Sequence, residues 1–155
     1  MNASIRIQQI GLESSDAAFR LLQRFFREEG FSTPAEEMAS SVRTMLTHPG
    51  SAVFLASRGS EALGVATVTT SVGIEYGRSA ELEDLYVLDS VRGMGIASAL
   101  IDAVCDWCRD QRCTTVLVTI TPQGETSHGL LGFYQRRGFI NEGRVILERP
   151  LRVSE

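Results

Sequence analysis

Apolar and polar residues alternate from Ser4 to Ile10, the two-residue period of a half-buried strand. Ser14-Ser15-Asp16 then supplies a helix cap, and Phe19, Leu22, Phe25 and Phe26 recur at the spacing of one helix face. The stretch GFSTPAEEM stops that helix and starts another. Thr33 falls at N-cap, Pro34 at N1 and Glu36 at N3, a capping box, and HPG ends the helix near His48. Residues 52–57 and 62–72 read as strands joined by a tight turn at RGSE, and GIEYGRS connects onward to a strand at 80–88. After RGMG the pattern becomes helical to about Gln111, with Ile96, Leu100, Val104 and Trp107 as its buried stripe. Residues 114–121, TTVLVTIT, are β-branched and nearly all apolar, as a buried central strand should be. PQGETSHG reads as a loop, LLGFYQRR as a short helix closed by Gly138, and RVILERPL as a final strand.

The order is β-α-α-β-β-β-α-β-α-β, with no internal repeat and no interdomain linker. It predicts one α+β domain over residues 1–155, a mixed sheet flanked by helices. Composition leaves that picture in place: 155 residues, 43% hydrophobic and 22% charged, suit one domain with a sizeable core. Charge narrows the partners. At −4 and without a Lys/Arg block, the chain lacks the basic footprint that nucleic acid requires, and a cationic partner fits better. No apolar run approaches the roughly 20 residues that span a bilayer. The start, MNASIRIQQIG, carries no signal-peptide core, so no membrane partner and a cytoplasmic location are expected. Cys105-x-x-Cys108 lies inside a predicted helix with no second pair, so with Cys113 these read as free thiols and no metal site is expected.

The candidate chemistry sits where LEDLYVLDSVRGMGIASALIDAV passes from strand to helix. Backbone N–H groups at a helix start have no intrahelical partner and lie at the positive end of the dipole. Gly93 and Gly95 let that backbone approach an oxyanion closely. Three phosphate-binding patterns compete for the turn. A Walker loop needs a Lys that is absent here, and a dinucleotide fingerprint needs a third glycine where Ser98 stands. The third, Arg-x-x-Gly-x-Gly/Ala, is met by Arg92, Gly95 and Ala97.

That third pattern resembles the acetyl-CoA-binding turn of the GNAT family of N-acetyltransferases. The element order, the strand before the turn and the later YQRRGF extend the likeness over nearly the whole chain. The sequence departs from the family at Ala97, where glycine is commoner, and at Ser127, where the family often has an Asn. The resemblance implies acetyl-CoA as co-substrate, no metal, and transfer of an acetyl group to a primary amine. Gly93, Met94, Gly95, Ile96, Ala97 and Ser98 would hold the pyrophosphate, with charge added by Arg92. The backbone of Leu85, Tyr86 and Val87 would pair with pantetheine as if with an extra strand.

Acetyl transfer also needs a neutral amine and a proton for the leaving thiolate. Strand alternation places Glu81, Glu83, Leu85 and Val87 on one side and Asp84 on the other. The family's bases lie at positions matching Glu81 and Glu83, and the choice between them stays open, as does a plain solvated strand face. Tyr134 matches the tyrosine that reaches the cofactor sulfur; its bland alternative is an aromatic packed beside Phe133 and Phe139. On the acceptor side, Glu28, Glu29, Glu75 and His128 are candidates for an acidic, substrate-binding mouth. Small members of the family include aminoglycoside acetyltransferases, which makes a cationic small molecule the expected acceptor. A protein N-terminus or lysine, a polyamine, an amino acid, or a non-catalytic acetyl-CoA sensor remain alternatives. A homodimer is the open assembly state.

Overall fold

The structure is a computed structural model and describes residues 3–152. β1 (Ile5–Gln9) leads through a short 3-10 turn into α1 (Ser15–Glu29) and α2 (Ala35–Thr47). β2 (Ser51–Arg58), β3 (Glu61–Gly73) and β4 (Gly77–Val87) follow as an antiparallel meander. α3 (Ile96–Asp110) crosses to β5 (Thr115–Val118), which pairs parallel to β4, and α4 (Pro122–His128) and α5 (Leu130–Gln135) come after it. The sheet has five strands in the order β1-β2-β3-β4-β5.

Two apolar clusters hold it together, one per face. α1 and α2 lay Ala18, Leu21, Leu22, Met38 and Val42 against Val53, Leu55, Val65 and Tyr86. α3 buries Ile96, Leu100, Val104 and Cys108 against Ala66, Val68, Leu82 and Val87. Each Val, Leu, Ile or Met side chain among them contributes roughly 1.5–3 kcal/mol when fully buried. Val53 belongs to one cluster and Phe54 to the other, which is the two-residue period of the strands made visible.

Four expectations are corrected. The capping box does not form: Pro34 takes an extended ψ of 143° as N-cap, the helix starts at Ala35, and no side chain caps it. The stretch PQGETSHG is largely helical, because the Thr121 hydroxyl accepts a hydrogen bond from the Gly124 N–H at 3.0 Å and Pro122 preorganises the first turn. β5 is short and lies at the sheet edge rather than at its centre. RVILERPL, expected as a last strand, has no pairing partner among the described residues; Val145, Leu147 and Leu151 are 80–90% exposed.

Candidate active site

β4 and β5 stay together only from Ser79↔Thr115 to Leu82↔Val118. Beyond Leu82, β4 pairs with β3 alone, so its other edge is open from Glu83 to Val87. The strands part there into a cleft of about 640 Å³, floored by Leu82–Val87 and flanked by the α3 turn, Val118–Thr121 and α5.

The turn occupies one end of this cleft. Gly93 and Gly95 have φ near +80°, a region that costs other residues about 1–2 kcal/mol. A Cβ on either would meet open space, so the bare backbone faces outward. The first α3 hydrogen bond is Ala99 N–H to the Gly95 carbonyl. The backbone N–H groups of residues 93–98 therefore have no acceptor among the described residues. The Met94 side chain is half exposed and does not line the cleft. The Arg92 guanidinium does not hang free: its Nε donates to the Val87 carbonyl at 2.9 Å, and it pairs with Glu28 at 3.3 Å and Asp89 at 3.2 Å.

A β-bulge changes the carboxylate arrangement. Thr67 pairs with Asp84 and Val68 with Leu82, which leaves Glu83 without a partner on β3. The alternation slips by one residue there. Leu85 and Val87 join the α3 face, while Glu81, Glu83 and Asp84 come to the α1 face, so the expected grouping of Glu81 and Glu83 with Leu85 and Val87 is corrected. Two threonines that share this face confirm it: Thr67 Oγ1 donates to Asp84 at 2.5 Å and Thr69 Oγ1 to Glu83 at 2.5 Å. Glu83 and Asp84 line the cleft; Glu81 does not, and accepts a hydrogen bond from Thr119 at 3.0 Å. Desolvation pushes the Glu83 carboxyl above the ordinary glutamate range, opposed by Thr69 and assisted by the neighbouring Glu81 and Asp84 charges. Desolvation likewise raises Asp84, against the Thr67 hydrogen bond.

Tyr134 lines the same cleft from α5, held edge-on between Phe133 at 5.0 Å and Phe139 at 5.2 Å. Burial pushes its phenol up to about 12, and no group among the described residues hydrogen-bonds the hydroxyl. Arg137 was missed by the sequence reading. Its Nε donates to Ser98 Oγ at 2.9 Å, and its guanidinium covers the Phe133 ring at 3.6 Å, placing a cation beside the unpaired amides. The signal was the basic pair inside YQRRGF, absorbed there into the tyrosine motif.

The sequence model described as the acetyltransferase (GNAT) family matches residues 15–139. The chain belongs to the GNAT acetyltransferase family. Its fold is shared with aminoglycoside N-acetyltransferase AAC(6')-Iy in complex with CoA, at a TM-score of 0.84 and 22% identity over 98% of each chain. An integron cassette protein from the mobile metagenome of Cole Harbour Salt Marsh is 25% identical, with a TM-score of 0.82 over 96% of this chain and 91% of that one. A ribosomal-protein-alanine N-acetyltransferase from Brucella melitensis biovar Abortus 2308 gives 0.73 at 18%, over 94% and 99%. Among curated proteins no sequence relative is found.

As a GNAT acetyltransferase the protein uses acetyl-CoA as co-substrate. Its residues fit that group. The unpaired amides of residues 93–98 and the space beside both glycines suit a pyrophosphate, and the open β4 edge suits an extended amide-bearing chain. The four mouth candidates are placed differently from one another. Glu29 and His128 both line the cleft and meet across it at 2.9 Å. Glu28 accepts a hydrogen bond from the Tyr86 hydroxyl at 2.7 Å and pairs with Arg92, so it braces β4 rather than lining the cleft. Glu75 sits at the β3–β4 turn, tied to Arg144, and does not line the cleft. Among the described residues no cluster of His, Cys, Asp and Glu is placed to hold a metal ion, and no helix is long and apolar enough to cross a membrane.

Proposed function

We propose that this GNAT acetyltransferase acetylates a primary amine of a small polycationic molecule of the aminoglycoside type. The observation that carries the reading is the cleft wall itself: Glu29, Glu83 and Asp84 all face one space, with no lysine in the chain and Arg92 and Arg137 at the cofactor end. Fixed carboxylates in a partly desolvated cleft concentrate a cation and orient its amines. The likeness to AAC(6')-Iy supports the same class.

In this reading Glu83 is the base. It is exposed in the cleft, and its raised pKa brings it closer to the working range of a general base. It takes the proton from the acceptor ammonium, directly or through one water, and the freed nitrogen lone pair forms the new bond to the acyl carbon. Acetyl-CoA supplies the activated acyl group, whose carbon–sulfur bond breaks as the carbon–nitrogen bond forms. Tyr134 gives the departing sulfur a proton from its hydroxyl, and the phenolate takes up, directly or through one water, the second proton that the nitrogen sheds as it becomes an amide, so that amide, free thiol and one proton on Glu83 remain. A phenol at about 12 is protonated at neutral pH, and the same dry surroundings raise the basicity of a thiolate formed beside it, which keeps the pair matched.

The test is thiol release from acetyl-CoA across a panel of amines: aminoglycosides, linear polyamines, amino acids, and peptides with free N-termini or lysines. Turnover highest on aminoglycosides supports the proposal. Preference for peptides or amino acids would replace it, and acetyl-CoA binding without turnover on any amine would make the protein a sensor.

A further inference from the structure

Two arginines line the cleft beside the α3 turn, Arg92 and Arg137, and their surroundings differ. Arg92 stands among carboxylates. It pairs with Glu28 at 3.3 Å and Asp89 at 3.2 Å, and Arg24 reaches the same Glu28 at 3.6 Å. Two cations thus face two carboxylates, and the group offers an anion no net charge. The Arg92 Nε is also engaged, on the Val87 carbonyl, so this side chain fastens the end of β4 to α1. Arg137 has no carboxylate within ion-pair distance among the described residues. Half-buried just after α5, it donates from Nε to Ser98 Oγ at 2.9 Å and from Nη1 to the Phe133 carbonyl at 2.8 Å. Its guanidinium lies over the Phe133 ring, 3.6 Å from the centroid. These contacts fix the guanidinium plane and leave Nη2 without an acceptor among the described residues. Ser98 is itself one of the residues whose backbone N–H is unpaired at the turn. The cation is therefore bonded to a residue of the amide row that suits a pyrophosphate.

We infer that Arg137, and not Arg92, supplies the positive charge that the diphosphate of acetyl-CoA meets at the turn. Amides at a helix start present only partial charges, whereas a diphosphate carries full ones. A guanidinium fork makes charge-assisted hydrogen bonds to phosphate oxygens, and one already held by Ser98 and Phe133 loses little freedom on binding. The position has a second consequence. The Arg137 N–H donates to the Tyr134 carbonyl at 2.9 Å, so one short segment carries both the diphosphate cation and the cleft tyrosine. A narrower role is that of a helix cap, since a cation is favourable beside the last carbonyls of α5. A cap alone would change stability and leave cofactor affinity in place. The inference holds whichever amine is the acceptor.

The test is calorimetry on the full chain with coenzyme A as probe, with a melting curve for each variant. Arg137→Gln should weaken binding about ten- to a hundredfold at low salt and flatten its salt dependence. Arg136→Gln, one residue away, exposed and outside the cleft, should shift affinity less than about twofold. The Arg137→Gln loss should be equally large with 3′-dephospho-coenzyme A, which keeps the diphosphate. Arg137→Lys retains the charge without the fork and should fall between parent and Arg137→Gln. Unchanged affinity in Arg137→Gln with a lowered melting temperature would leave Arg137 a helix cap. A loss confined to the 3′-phosphorylated probe would move the contact to that phosphate, and a larger loss in Arg92→Gln would return the charge to Arg92. Each of these outcomes overturns the inference, as would an Arg137→Lys chain that binds no better than Arg137→Gln.

Discussion

Glu83 and Asp84 are adjacent in sequence, share a face and have raised pKa values, yet they should answer differently to substitution. If Glu83 is the base, kcat/KM falls tenfold per pH unit below a pKa above the ordinary glutamate range. Glu83→Gln should then lower turnover by about 10²–10⁴ and abolish that acid limb, as a pH–rate profile would record. An unchanged limb would move the base to Asp84 or to water. Asp84 is a matter of stability first. A carboxyl whose pKa is raised by folding is no burden while protonated, below its unfolded value. As pH rises through the folded pKa it ionises in place, and stability is lost. Asp84→Asn keeps an acceptor for Thr67 and removes the charge, so its melting temperature should exceed that of the parent at neutral pH, with no gain in acid. About 1 kcal/mol would correspond to roughly 2–4 °C in a chain of this size. Tyr134→Phe preserves the edge-on contacts with Phe133 and Phe139 and removes only the hydroxyl. Turnover should drop at least about tenfold while the acetyl-CoA dissociation constant moves little; equal losses in both would reduce Tyr134 to a packing residue.

Among the elements, the turn before α3 carries the cofactor end. Gly95→Ala forces a Cβ onto a backbone at φ 81°, and the strain should shift the amides that face the cleft. Gly59, at φ 60° in the β2–β3 turn, offers a control with comparable strain and no place in the cleft. Calorimetry should find acetyl-CoA affinity weakened about tenfold or more in Gly95→Ala and unchanged in Gly59→Ala; equal behaviour would detach binding from the turn. This turn was the most legible part of the sequence, because glycine spacing reports backbone conformation directly. The three long helices were legible too, since residues such as Ile96, Leu100 and Val104 recur at a spacing only a helix can bury on one side, whereas the short α4 was read as a loop. The bulge was missed although it left a trace. In ELEDLYV the odd positions are charged at Glu81 and Glu83 and apolar at Leu85 and Val87, and a regular strand cannot bury both halves. The paired acids at Glu83-Asp84 mark where the period slips. β5 and RVILERPL were misplaced for another reason: apolar β-branched composition favours a strand but does not fix its place in the sheet or its pairing partner.

Charge acts over the whole molecule. The chain carries −4 at neutral pH, and three of its carboxylates, Glu29, Glu83 and Asp84, are gathered at close range in the cleft. Two distances matter for a polycationic acceptor. Contact with the cleft carboxylates is partly desolvated and resists salt, whereas attraction to the acidic surface is screened beyond about 8–10 Å at physiological ionic strength. Raising salt from about 0.05 to about 0.5 M should therefore raise KM for a tetra-amine several-fold, raise KM for a mono-amine of similar size much less, and leave kcat nearly constant. The split follows because screening weakens encounter and ground-state binding but leaves the chemistry at Glu83 and Tyr134 in place. The measurement is a set of initial-rate curves at fixed, saturating acetyl-CoA, with the two amines compared at each salt concentration. A KM that is flat for both amines would mean that shape or hydrogen bonding selects the acceptor, and the carboxylate wall would then serve proton transfer alone. A fall in kcat with salt would mean that the ions reach the chemistry itself, and would overturn the split between encounter and proton transfer.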